Sequence, residues 1–148
     1  MTPQDFINAI APAAVTSAKA TGIPASFTIA EAAVESGWGS HAPGMNLFGI
    51  KADKSWTGAT TTQQTRECFS GKWVMVEAKF RAYPNWFGSI QDHAKFLQTN
   101  PRYHGAFACK DGPGFCREVA KAGYATDPNY AKTINSIIVS HGLTRYDV

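Results

Sequence analysis

Blocks of like charge, long apolar runs and paired metal-ligand histidines are all missing from this chain of 148 residues. Its basic residues are scattered, among them Lys51, Arg66, Lys79, Arg102 and Lys121, and the net charge is only +3. That excludes a nucleic-acid-binding tract. No stretch approaches the roughly 18 apolar residues of a membrane span, so membrane insertion is not expected. His41, His93, His104 and His141 show no ligand spacing, so no zinc site is expected, and no cofactor is called for. Cysteine is scarce, with Cys68, Cys109 and Cys116 only. The start, Met1-Thr2-Pro3-Gln4-Asp5, lacks the positive and apolar regions of a secretory leader. Internal repeats, low-complexity tracts and linkers are also lacking, so residues 1–148 read as one domain.

What is present is a globular composition rich in aromatics. Hydrophobic residues make up 44% and charged residues 17%, which argues against disorder. A chain of this size can bury roughly 68–70% of its unfolded surface, enough for a core without staples. Four Trp, five Tyr and nine Phe exceed what a core needs, and such an excess suits a cleft that binds rings or sugars. Cys109 and Cys116 bracket the turn-rich Lys110-Asp111-Gly112-Pro113-Gly114-Phe115. Such a loop can bring two Cα atoms within the ~4.4–6.8 Å of a disulfide. This pair is the candidate bridge, and an oxidising compartment follows if it forms; in a reducing one both are buried thiols.

The grammar changes twice along the chain. Thr2-Pro3-Gln4-Asp5 opens a helix carrying Phe6, Ile7, Ile10 and Ala14, which Pro12 should kink or split. Gly22-Ile23-Pro24 breaks the chain before a second helix that runs to about Glu35. Residues 37–58 are dense in Gly and Pro and read as loop, with room for one short strand. Thr60 to Tyr83 is a β-hairpin: β-branched residues, a turn at Phe69-Ser70-Gly71-Lys72, then Val74, Val76, Ala78 and Phe80 at period two. Helices resume with Phe87, Ile90, Ala94 and Leu97 on one face, then Phe115, Val119 and Ala122, closed by Gly123. The last helix follows Asp127-Pro128 and carries Tyr130, Ile134, Ile137 and Ile138. The fold class is therefore α+β, mostly helical, with a hairpin lobe inserted between helical segments. A groove between the lobes would suit an extended polymer.

Glu35 ends the second helix, in Ala30-Glu31-Ala32-Ala33-Val34-Glu35-Ser36-Gly37-Trp38-Gly39. Unpaired carbonyls give a helix end partial negative charge, which disfavours a second negative charge there. Ile29, Ala33, Val34 and Trp38 would add desolvation. Both effects hold the proton on the acid, as a general acid requires. Glu31, one turn earlier, reads as structural, and its like charge would push the same way.

Several blocks then occur in a recognisable order. They are Glu35-Ser36-Gly37-Trp38-Gly39, Asn46-Leu47-Phe48-Gly49-Ile50-Lys51, Trp56-x-Gly58 and Lys79-Phe80-Arg81-x-Tyr83. Ser89-x-x-Asp92, Asn100-Pro101-Arg102-Tyr103 and Ala122-Gly123-Tyr124-Ala125-Thr126-Asp127-Pro128 follow. From about Ala30 to Ile138 the chain resembles the glucosaminidase domains of glycoside hydrolase family 73, which include flagellar-type peptidoglycan hydrolases. The resemblance implies a lysozyme-like fold and hydrolysis of the β-1,4 bond between N-acetylglucosamine and N-acetylmuramic acid in a peptidoglycan glycan strand. Glu35 falls on the family's general acid, Glu67 on the acid of the β-lobe, and Tyr124 on a tyrosine of the substrate groove. Asn46, Phe48 and Trp56 join Tyr124 as candidate substrate-binding residues; Phe48 and Trp56 either stack on sugars or pack the lobe joint. Asp92 reads as a structural acid bonding backbone amides. Two positions depart from the family pattern: Cys68 follows Glu67 where tyrosine is usual, and His93 follows Asp92 where an aromatic is usual.

Such chemistry needs a proton for the leaving oxygen and help for an oxocarbenium-like carbon. Carboxyls about 6.5–9.5 Å apart imply inversion and about 5 Å retention. Attack by the substrate's own N-acetyl group is a third route. Other readings are a lytic transglycosylase or muramidase of the same fold, an amidase using Cys68 with His93 or His141, and a non-catalytic wall-binding module. Action in the periplasm or outer wall without a leader implies delivery by lysis or by a secretion system. A type VI effector toxin, held in check by a periplasmic immunity protein, is the expectation drawn from the missing leader and the Cys109–Cys116 pair.

Overall fold

The second helix is the axis of the molecule. A computed structural model describes residues 1–147, and in it α2 (Ala25–Ser36) is buried from Ala25 through Ala33. A helix apolar all round must be surrounded, and α2 is. α1 (Pro3–Thr21), α4 (Gly112–Lys121), α5 (Tyr130–Ser140) and a terminal 3-10 helix (Leu143–Tyr146) pack on it. α3 (Trp86–Thr99) packs against α1 and leads into a 3-10 helix at Pro101–Ala108.

Local chemistry sets the ends of these elements. Thr2 and Asp5 exchange hydrogen bonds in a capping box, with Pro3 in the first turn. α1 runs unbroken through Pro12, against the expected kink. Pro12 and Asn8 both lie exposed, so the Asn8 carbonyl that Pro12 cannot bond faces water. α2 has no side-chain cap of its own at Pro24. Asp147, from the far end of the chain, accepts from the Ser26 amide at 2.8 Å and its hydroxyl at 2.5 Å. At the other end Gly37, Trp38 and Gly39 all have positive φ, and the Trp38 amide donates to Ala33 O at 2.8 Å. A Cβ on Gly39 would lie 2.8 Å from Trp86 and 2.9 Å from Phe6, so only glycine fits this turn.

β1 (Thr60–Phe69) and β2 (Lys72–Arg81) form one antiparallel hairpin, in register from Thr60↔Arg81 to Phe69↔Lys72. Ser70 and Gly71, with φ of 52° and 79°, close it in a two-residue turn. The Gly- and Pro-rich segment 37–58 is loop, with a 3-10 turn at Pro43–Met45 and, where one short strand had room, a single bridge of Lys51 to Phe80. The period-two pattern is buried only at the base of the hairpin. Phe80 is buried, whereas Phe69, Trp73, Val74 and Met75 at the distal end are exposed, because no second layer covers them. On α3 the buried face is Ser89, Ile90, His93, Ala94 and Leu97, and Phe87 points outward. α5 starts at Tyr130; Asp127 makes a turn that accepts from the Asn129 amide at 2.8 Å instead of capping the helix.

Candidate active site

A cleft of about 470 Å³ opens between the end of α2, the hairpin and the loop before α5. Glu35 and Glu67 both line it, the first from the helical lobe and the second from β1. Gly49 (φ 63°) carries the chain past the Glu35 carboxyl, close enough that a Cβ would lie 3.6 Å from its Oε2. Among the described residues none donates a hydrogen bond to that carboxyl.

The two acids sit in opposite environments. Crowding by the cleft walls pushes the Glu35 carboxyl up to about 8, with Glu31, then Glu67 and Asp127, adding negative charge. Its side chain is nonetheless open to water, because the cleft is unroofed above it. That water softens the shift in the empty cleft, and a bound ligand that expels it restores the full effect. For Glu67, partial burial also favours the neutral form, but the bonds from Lys51 and Thr126 outweigh it and hold the carboxyl below its ordinary range. Lys51 Nζ is 2.6 Å from Oε1 and Thr126 donates to Oε2 at 2.7 Å. Thr126 also accepts from the Cys68 amide at 3.2 Å, so one side chain ties the hairpin to the loop across the cleft.

Beneath Glu35 lies a buried polar knot. Glu31 is fully buried and accepts from Tyr124 at 2.5 Å and Tyr130 at 2.7 Å, with His93 Nε2 at 3.4 Å. Burial first, and then the Glu31 charge, raise both tyrosine hydroxyls well above their ordinary range. Tyr124 therefore presents its ring to the cleft, while its hydroxyl is committed underneath. Phe48 is buried too, stacked on His93 at 3.8 Å between nearly parallel rings, and only its edge reaches the cleft wall.

Asn46 and Trp56 have structural partners. Asn46 donates to Ile50 O and Arg81 O and accepts from the Phe48 and Ile50 amides, which uses its whole side chain to shape the loop around Gly49. Trp56 donates to Ala59 O at 2.8 Å and packs under Arg81 and against Tyr83. It is not part of the cleft lining that holds Glu35 and Glu67. Asp92 bonds side chains, not backbone amides: Arg81 at 3.0 Å and Tyr83 at 2.5 Å.

The disulfide reading is corrected: Cys109 and Cys116 are free thiols, as is Cys68. Asp111 caps α4 by accepting from the Gly114 amide, and the helix that follows turns Cys116 into the core. Burial and then the Glu31 charge push that thiol up to about 12. The Cys68 dyad is also unsupported. His93 is enclosed under Phe48, and His141 packs on Trp38 at the far end of α5. Four further cleft residues carry no role in the sequence reading: Lys51, Thr126, Arg66 and Trp73. The first two lie inside the ordered blocks, which mark them as notable without giving a role.

The comparisons agree with this geometry. The model of the family described as mannosyl-glycoprotein endo-beta-N-acetylglucosaminidase matches residues 11–143. Peptidoglycan hydrolase FlgJ of Vibrio parahaemolyticus is 42% identical over 139 residues, 89% of this chain and 45% of that protein. A probable N-acetylmuramidase of Lactococcus lactis is 39% identical over 152 residues, 96% of this chain and 34% of that protein. The chain thus spans less than half the length of these relatives. A mutant peptidoglycan hydrolase from Sphingomonas sp. A1 superposes with a TM-score of 0.88 at 36% identity, covering 97% of both chains. A match over this much of the chain, with an acid from each lobe in one cleft, places the protein in the glucosaminidase family of glycoside hydrolases, with its lysozyme-like fold.

Proposed function

We propose that the protein is an endo-β-N-acetylglucosaminidase of peptidoglycan, in which Glu35 is the general acid and Glu67 the general base. The observation that carries this is the opposed environment of two carboxyls in one cleft: one crowded and without a donor, the other bonded by a lysine and a threonine. Such a split assigns the acid and the base at one pH. Glu35 gives its proton to the glycosidic oxygen as the C1–O bond breaks and its electron pair leaves with that oxygen. Glu67 takes a proton from water as that water adds to C1. Lys51 and Thr126 use two of the roughly four lone-pair sites of the Glu67 carboxylate, which leaves room for the water. The Tyr124 ring and the edge of Phe48 supply apolar wall for the sugars.

The choice of bond follows the family description, and the product tests it. Peptidoglycan is digested, the products are reduced, and the new ends are identified by mass spectrometry. Reduced N-acetylglucosamine is expected. Reduced N-acetylmuramic acid would make the protein a muramidase, anhydro ends a transglycosylase, and freed peptides an amidase. Glu35→Gln should abolish turnover with the fold intact. Cleavage of this polymer takes place in the periplasm or the outer wall. The toxin reading, with its immunity protein, would be supported by a neighbouring gene product that binds and occludes the cleft, and it draws no support from the thiols, which are free.

A further inference from the structure

Trp73 is a large aromatic that the family motifs do not account for. It lies on β2, opposite Cys68, and neighbours the Glu67↔Val74 pair. Strand spacing then puts its backbone roughly 6 Å from that of Glu67, and alternation along the strands puts its side chain with those of Arg66 and Cys68 on the hairpin face opposite to Glu67. It lines the same cleft as Glu35 and Glu67, yet 42% of its surface is open. No core residue covers it, so packing does not explain it. What does touch it is Arg66, whose guanidinium sits 4.4 Å over the indole ring. A cation over one face holds the ring, while much of its surface stays open to a ligand. Pyranose rings present polarised C–H groups on one side, which suit the electron-rich face of an indole.

We propose that Trp73, locked by Arg66, is an aromatic platform on the β-lobe wall, and that it stacks on the sugar ring next to the one being cleaved. The occupant is an N-acetylhexosamine of the same glycan strand that reaches Glu35, because the platform is continuous with the cleft. Arg66 lines the cleft beside it and offers a positive partner for carboxylates on the polymer's side groups. The inference rests on the glycan-cleaving reading above. It gives the hairpin a second role, since Glu67 serves the chemistry from one face while Trp73 grips the strand from the other where both border the cleft.

The test compares Trp73→Ala, Trp73→Tyr and Arg66→Met with the parent on peptidoglycan, and repeats Trp73→Ala in the Glu35→Gln background with a soluble N-acetylglucosamine tetramer. Loss of one aromatic contact should raise KM about tenfold in Trp73→Ala, with kcat falling less than twofold. Trp73→Tyr should recover most of the loss, and Arg66→Met should fall between. Calorimetry should show a similar drop in affinity for the tetramer, and the melting temperature should not move, because the ring is exposed. Unchanged KM and unchanged tetramer affinity in Trp73→Ala would overturn the platform, as would a loss confined to kcat. Activity surviving in Glu35→Gln would instead strike the acid assignment and leave the platform's binding data standing.

Discussion

Removing the charge of Glu31 should move the alkaline limb of the pH–rate profile and little else. Glu31 and Glu35 are one turn apart on α2, so their Cβ atoms lie roughly 5–6 Å apart on one face. At about 6 Å and an effective dielectric of about 20, two unit charges interact by roughly 2.8 kcal/mol, or about two pKa units. Glu35 is open to water in the cleft, which screens it, so about half of that is the better expectation. Glu31→Gln keeps the shape and one oxygen acceptor for the two tyrosines. A general acid works only while protonated, so the rate falls as pH rises through its pKa. The surroundings push the Glu35 carboxyl up to about 8, and water in the empty cleft softens that shift, so the parent's limb is expected at or somewhat below this value. In Glu31→Gln it should fall by about one pH unit.

The assay is kcat/KM for release of reducing ends from peptidoglycan across the pH range, with a thermal melt at each pH. Below the alkaline limb the two proteins should run at similar rates. The acid limb, which the proposed mechanism assigns to Glu67, should stay in place. Breaking the knot costs stability as well, on the order of 1–3 kcal/mol for a buried donor left without its carboxylate. The melt separates that loss from the titration. An alkaline limb that does not move in a folded Glu31→Gln protein would mean that the buried charge does not reach Glu35.

Three other outcomes follow from the same structure. Lys51→Met removes the cation that holds Glu67 low, so the Glu67 carboxyl should titrate higher and the acid limb of kcat/KM should move to higher pH. Glu35→Gln should melt at a higher temperature than the parent, by a margin that grows from pH 5 to pH 8. The native acid keeps its proton up to about 8 while the unfolded one releases it near its ordinary value, so the native state binds more protons in that window and parent stability falls as pH rises. Asp147→Ala strips the distant cap from α2 and should cost about 1–2 kcal/mol in urea unfolding, with kcat nearly unchanged in the folded protein.

Features governed by nearest neighbours are readable in the chain itself. Ser70-Gly71 signals a hairpin turn because two positive φ angles suit few residues, and the pairing on both sides follows from it. The Gly37–Gly39 turn announces the end of α2, and so it announces Glu35. The same reading stumbles where partners come from far along the chain. Asn46 stands in a family block as a substrate-binding candidate, whereas Arg81, 35 residues away, takes up one of its donors. For Trp56 the sequence leaves sugar stacking and packing of the lobe joint open, and its contacts with Ala59 and Arg81 are of the packing kind. The spacing of Cys109 and Cys116 suits a bridge, but the Asp111 cap starts a helix that points one of them inward.

The site itself shows why its two acids are not equally legible. Part of the environment of Glu35 is helical, since Glu31 lies one turn away on α2, so sequence alone carries part of the case for a raised pKa; the cleft walls, Glu67 and Asp127 come from elsewhere in the chain. The environment of Glu67 is assembled from three separate segments, with Lys51 from the loop after Gly49 and Thr126 from the loop before α5. No local pattern contains both. Yet these two contacts set the charge of Glu67 and tie the lobes across the cleft. The sequence around Glu35 thus holds part of its environment, whereas the environment of Glu67 belongs to the tertiary fold.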